Sequence, residues 1–302
     1  MGEGINFGNA LEAPEEGEWG IKLETRYFDF IQKAGFKTVR LPVRWSAHAL
    51  TSSPYTIDPV FFQRIDWAIE NATRRGLNIV INLHHYDELF KDPTIHRPRF
   101  CAIWSQIASR YQNAPSSVLF ELCNEPHDID SSTWNAIVRE VLPLVRATNP
   151  RRGIILGGTD WNSLKKLSEL QLPEEDRSII GTFHYYSPFH FTHQGAEWVK
   201  GSEAWLGTHW LGSGDEKEAI RADLDHAVRW WETNRRPIWI GEFGSYSKAD
   251  LESRCRWMEF MVRECEWRHL PWAYWEFAAG FGVYDRFQQK WNSPLLRSLF
   301  PF

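Results

Sequence analysis

Eight short runs of apolar, β-branched and aromatic residues punctuate the chain. They are GINFGNAL (4–11), KTVRLPVRW (37–45), LNIVINLHHY (77–86), SVLFELCNEP (117–126), GIILGGTDW (153–161), SIIGTFHYYSP (178–188), RPIWIGEFGSY (236–246) and LPWAYWEFAAG (270–280). Segments with helical spacing separate them. ETRYFDFIQKAG (24–35) stops at Gly35, DPVFFQRIDWAIENATRRG (58–76) begins on Asp58-Pro59 and stops at Gly76, and STWNAIVREVLPLVRATNP (132–150) follows the fourth run. Near-continuous apolar strands alternating with helices predict an α/β fold whose parallel sheet is covered on its outer face. Eight such units are the number that closes a single (β/α)8 TIM barrel, with a doubly wound sheet as the alternative. No linker or low-complexity segment divides the chain, so one domain over 1–302 is expected.

A barrel of this kind carries its chemistry at the C-terminal ends of its strands. Those ends are unusually polar here: Asn9, Arg40, His84, His85, Asn124, Glu125, Asp160, Trp161, His184, Tyr186, Glu242, Trp275 and Glu276. The fourth run, VLFELCNEPHD (118–128), is the sharpest case, because an apolar strand lifts a carboxylate to its lip. Half-burying an unpaired acid is costly or forces it to hold a proton. Such an acid has either a structural partner or a task.

Glu125 on the fourth strand and Glu242 on the seventh would face one another across the barrel mouth. Two such carboxylates are the equipment for glycoside hydrolysis, one protonating the leaving oxygen and the other attacking or activating water. Glu121 shares the inward parity of Glu125 two pleats below and reads instead as a buried partner for a barrel arginine. Arg40 cannot deprotonate and would hold a neighbouring glutamate ionised. His184 and Tyr186 fall on one face, available to orient the two acids. His84 and His85 are adjacent, so on a strand they would point to opposite faces and could not both ligate one metal. No metal site and no cofactor are expected. GxSxG, P-loop and GxGxxG motifs are absent, and the GSG at 212–214 is a turn signal.

Composition narrows the ligand class. The chain has 302 residues, 43% of them apolar and 24% charged, with a net charge of −5 and no basic block to serve as a nucleic-acid footprint. No apolar run approaches the roughly 20 residues of a membrane helix. Seventeen Trp, 19 Phe and 9 Tyr are more flat faces than a core usually recruits, and such faces stack well on sugar rings. Cys101, Cys123, Cys255 and Cys265 lie in no CxxC spacing and read as buried free thiols. The chain opens on MGEGINFGNA without the charged and apolar regions of a secretory signal. Export by a signal outside this sequence is the expectation, the cytoplasm the alternative, and a monomer the expected state.

ELCNEP together with IGEFG resembles the family 5 glycoside hydrolases, the cellulase family of (β/α)8 retaining enzymes, and the likeness runs along essentially the whole chain. Counterparts of the family's eight near-invariant positions are Arg40, His84, Asn124, Glu125, His184, Tyr186, Glu242 and Trp275. INFGNALEAPEEGEWG, NLHHYD and THQGAEWVKGSEAWLG look closer still to the thermophilic bacterial endoglucanase subfamily, some members of which also cleave β-mannans. The resemblance implies Glu125 as acid/base and Glu242 as nucleophile, with Asn124 on the sugar 2-OH, Arg40 and Tyr186 holding Glu242 ionised, and Trp275 as a sugar floor. It further implies hydrogen bonds to neighbouring sugars from Asn9, Glu12, His85 and Glu276. Trp198, Trp205 and Trp210 are its candidates for the leaving-group side. One departure is that few residues precede the first strand, so the plug that often closes the barrel bottom is expected to be short or missing.

The activity expected is that of a retaining endo-β-1,4-glucanase acting on a β-linked polysaccharide or oligosaccharide. A β-mannanase, a mixed-linkage glucanase or a bifunctional glucanase/mannanase is the alternative within the fold, and a non-catalytic carbohydrate-binding barrel is the alternative outside enzymes.

Overall fold

In the computed structural model, which describes residues 1–301, eight parallel strands close on themselves in sequence order. They are β1 (Gly4–Asn6), β2 (Thr38–Leu41), β3 (Asn78–Asn82), β4 (Val118–Glu121), β5 (Ile154–Gly157), β6 (Ile179–Tyr185), β7 (Ile238–Phe243) and β8 (Trp272–Tyr274). Pairing of Gly4 with Ala273 and of Ile5 with Tyr274 seals the ring. Phe302, the last residue of the expected domain, lies outside the described residues.

The helices follow their sequence signals. Thr25–Ala34 ends on Gly35 in the left-handed region (φ 106°), which glycine enters without a Cβ penalty. Pro59–Thr73 starts with the Asp58 side chain accepting from the Val60 N–H. Pro93–Arg110, Ser131–Thr148, Gly214–Asn234 and Leu251–Trp267 complete the main outer layer. Ser213 and Glu216 form a reciprocal capping box at the start of Gly214–Asn234. A short antiparallel pair, β9 (Tyr284–Asp285) with β10 (Lys290–Trp291), and the helix Ser293–Leu299 follow the barrel and carried no clear sequence signal.

The outward faces of the strands and the inward faces of the helices share one core that includes Val39, Ile79, Ile81, Phe120, Ile154 and Ile240 with Phe28, Ile31, Ile65, Ile103 and Trp104. Fully burying each such side chain contributes roughly 1.5–3 kcal/mol. Inside the ring the composition changes. Val80, Leu119, Ile155, Trp239 and Ala273 form a small apolar floor. Asn6, Arg40, Asn82, Glu121 and Thr182 are fully buried polar strand residues. The outer core supplies the stability that lets charged groups be held inside the barrel. Among the described residues no helix is long and apolar enough to cross a membrane.

Candidate active site

Arg40 is the hub. It is fully buried, and its guanidinium forks onto Glu121, with Nε 2.6 Å from Oε2 and Nη2 2.7 Å from Oε1. The same group donates to Glu242 Oε1 at 2.5 Å, to Asn124 Oδ1 at 2.7 Å and to Asn6 Oδ1 at 2.9 Å. Burial works against its charge, but Glu121 and Glu242 more than offset this and hold it protonated. Glu121 is thus the buried ion partner read from the sequence, and Arg40 joins β2 to both rim strands that carry an acid.

Glu242 and Glu125 receive different partners. Glu242, on β7, takes Arg40 on one oxygen and the Tyr186 hydroxyl, at 2.8 Å, on the other. Glu125 Oε1 lies 2.6 Å from His184 Nδ1, which stands 3.5 Å from Glu242 Oε2. Asn124 and Glu125 follow β4, and the chain turns at Glu125 itself (φ 45°). Burial raises the pKa of Glu125 to about 7 and pushes Glu242 upward too; at Glu242 the rise is opposed by His184, Arg40 and the Tyr186 hydroxyl. Burial lowers His184 to about 4, leaving it neutral at pH 7. One carboxylate oxygen of Glu125, one of Glu242 and a ring nitrogen of His184 all lie within 4.8 Å of one another. Three convergent donors at that density resemble a cation site, but the Arg40 guanidinium already occupies Glu242 as its counter-charge.

IGEFG owes its glycines to neighbours of Glu242. A Cβ on Gly241 would stand 2.9 Å from Thr182 Oγ1 and 3.0 Å from His184 Nε2, and one on Gly244 would meet the Trp275 carbonyl. Trp275, just past β8, lies half-buried with its ring near parallel to that of His84, 15° apart with centroids at 6.0 Å. Asn82 Nδ2 pairs with His84 Nδ1 at 3.0 Å and fixes that ring.

Several expectations need correction. His84 and His85 are not on opposite faces: β3 ends at Asn82, His85 takes φ 54°, and the rings meet edge to face with centroids at 4.5 Å. Alternation holds only inside a strand. Glu12 and Glu276 were expected to bind sugars, but both carboxylates are turned into their own loops. Glu12 accepts from the Asn9 and Ala10 N–H groups, and Glu276 from those of Ala278, Ala279 and Phe281. Both acids are buried, at 1% and 0% exposure. Trp210, fully buried against Phe260, packs the outer layer instead of a groove. Trp205 is half-buried and stacked on His190.

Asn9 is half-buried at the end of the β1 loop. Trp198, 60% exposed, packs near His193 and Phe281, and His193 touches the Tyr186 ring. Three groups were passed over by the sequence reading. His193 is a lone histidine in a long loop, Asn6 and Asn82 look like ordinary strand residues, and Trp161, half-exposed and stacked on His127 beside Glu125, was seen only as a rim residue.

Comparison with known proteins agrees with this geometry. The model for Cellulase (glycosyl hydrolase family 5) matches residues 3–280. Endoglucanase H of Acetivibrio thermocellus is 36% identical over 99% of this chain, and the chain spans only 33% of that protein's length. Cel5A of Thermotoga maritima, solved in complex with mannotriose and with cellobiose, is 49% identical at a TM-score of 0.97, covering 99% of this chain and 97% of that one. The cellulose synthase subunit Z of Clostridioides difficile is 38% identical, with a TM-score of 0.95 and 99% of both chains covered. With its closed barrel, its two rim glutamates and a family match over nearly its whole length, the chain belongs to the cellulase family, glycosyl hydrolase family 5.

Proposed function

We propose that the chain is a retaining endo-β-1,4-glucanase, that Glu242 is its nucleophile and that Glu125 is its acid/base. The observation that carries this is the pair of carboxylate oxygens within 4.8 Å of one another. A retaining pair stands at roughly 5–5.5 Å, whereas an inverting pair needs roughly 6.5–9.5 Å to admit a water. Glu242 attacks the anomeric carbon while Glu125 gives its proton to the departing glycosidic oxygen. The covalent glycosyl-enzyme is then opened by water, whose proton returns to Glu125. Arg40 and the Tyr186 hydroxyl keep Glu242 ionised and aimed, Asn124 reaches the sugar 2-OH, and Trp275 floors the ring being cleaved. An NMR time course of cellopentaose hydrolysis tests the reading. The β-anomer is expected first, and an α-anomer formed first would overturn it.

A second reading, action on β-mannan as well as β-glucan, is favoured by the likeness to Cel5A of Thermotoga maritima, whose structures hold both mannotriose and cellobiose. Turnover compared on carboxymethylcellulose, barley glucan, xyloglucan and glucomannan separates the two. Residues 1–302 are taken as one catalytic domain, acting as a monomer outside the cell on a β-linked polysaccharide.

A further inference from the structure

His184 has a second ring nitrogen, and the side chain facing it belongs to no part of the mechanism above. Asn162, in the loop after β5, is fully buried, with Nδ2 3.3 Å from His184 Nε2. Its Oδ1 has no hydrogen-bond partner among the described residues. The amide is delivered there by three successive left-handed residues, Asp160, Trp161 and Asn162, with φ of 59°, 56° and 54°. Room for it exists because residue 157 is glycine, since a Cβ there would fall on Oδ1. Left-handed backbone in three non-glycine residues is costly and persists where the surroundings require it.

The amide's orientation follows from its two environments. Turned the other way, it would bury two N–H donors without acceptors at the Gly157 side, where it now leaves one carbonyl oxygen, and orphan donors are the rarer and costlier case. Asn162 therefore donates, and His184 Nε2 accepts. Burial keeps His184 neutral despite the carboxylates of Glu242 and Glu121 and alongside the charge of Arg40 and the nearby His84 ring. A neutral imidazole that accepts on Nε2 carries its single proton on Nδ1, the atom 2.6 Å from Glu125 Oε1.

We propose that Asn162 is a positioning residue that fixes His184 in its Nδ1–H tautomer and so keeps the Glu125 proton on the other carboxyl oxygen, the one free to meet the leaving group. The proposal rests on Glu125 being the acid/base. With the opposite tautomer His184 Nδ1 is an acceptor, and the Glu125 proton is drawn onto Oε1, away from the bond to be broken. The Nδ1–H tautomer serves both half-reactions, because it donates equally to a carboxylic acid's carbonyl and to a carboxylate.

The test combines a resting-state measurement with two variants. Enzyme labelled with 15N-histidine, with the His184 signals identified against a His184→Gln variant, should show Nδ1 protonated and Nε2 bare at pH 7. Asn162→Asp replaces the donor by an acceptor and should move the proton to Nε2. Its kcat/KM on cellotriose should fall at least about tenfold further than on dinitrophenyl cellobioside, whose leaving group needs no proton. Asn162→Gly keeps the left-handed backbone and removes the amide, and should show a smaller selective loss; it carries the test if the Asp variant does not fold. A wild-type His184 protonated on Nε2, or equal losses on both substrates in a folded variant, would overturn the proposal. Glu125→Ala measured alongside separates the readings: equal losses there refute the acid/base role, whatever the tautomer.

Discussion

Four glutamates, Glu125 half-buried and the other three buried, stand at the barrel mouth in two pairs, and they differ in what holds them. Glu125 and Glu242 are met by side chains, namely His184, Arg40 and Tyr186. Glu12 and Glu276 sense one another's charge, yet each is met by backbone N–H groups of its own loop. Burial raises all four, Glu12 to about 8 and Glu125 and Glu276 to about 7. A raised pKa thus does not distinguish a chemical acid from a structural one. The partners do: backbone amides fix a loop and cannot change charge, whereas an arginine, a tyrosine and a histidine tune a group that must exchange protons or electrons with a ligand.

The comparison is most exposed at Glu242. Glu242→Ala should lower kcat on glucan by roughly 10⁴-fold or more, the scale on which loss of a covalent nucleophile costs catalysis. Azide should restore turnover and give an inverted glycosyl azide. Near-wild-type hydrolysis would place Glu242 with the structural pair.

Glu125→Ala comes next, with a loss of roughly 10²–10⁴ on substrates with poor leaving groups and much less on activated aryl cellobiosides. Since Glu125 must carry its proton, kcat/KM of the unaltered enzyme should fall as pH rises through about 7, the value to which burial lifts it. For the alanine variant on an activated substrate that limb should vanish. A limb that persists belongs to another group.

Glu276→Gln sharpens the other side. One of the amides it now serves loses its acceptor, at a cost of about 1–3 kcal/mol. Thermal or urea unfolding should register that loss, while kcat on an aryl cellobioside stays within a few-fold of wild type. A collapse of kcat in a protein of undiminished stability would move Glu276 into the chemistry.

The two pairs were unequally legible in the sequence. Strand-end placement marked Glu125 and Glu242, because an inward acid on an apolar strand has few explanations. The barrel itself was legible for the same reason: eight apolar runs with helical spacing between them have one economical closure. Glu12 and Glu276 lie in loops, where no period fixes the direction of a side chain, so family likeness pointed them at sugar while the backbone turned them inward. His85 was misplaced because the strand ended three residues before it. Trp210 and Trp198 belong to one aromatic loop with no pattern to say which indole would be covered. Asn162 gave no local signal at all, since its meaning depends on a histidine 22 residues on, near the end of the next strand, and on a glycine five residues before it.

The smallest effect is the most discriminating for the loop pair. Glu12 ionises near pH 8 when folded and near 4.5 when free, so between those values the folded protein binds the extra proton. Its contribution to stability is fully present below about pH 4.5 and is lost as pH rises through about 8, with a slope of at most about 1.4 kcal/mol per pH unit for one proton. Above pH 7 the ionisations of Glu125 and Glu276 are more than half complete, and His184 and His85, lowered to about 4, are already neutral in the folded protein. The stability gap between Glu12→Gln, which stays neutral, and wild type should therefore shift steadily in the variant's favour from pH 6 to pH 8.5 in urea titrations. A gap that stays constant over that range would mean that Glu12 is already ionised at pH 6, held by the Asn9 and Ala10 amides strongly enough to overcome its burial, and the loop pair would then differ from Glu125 in charge as well as in partners.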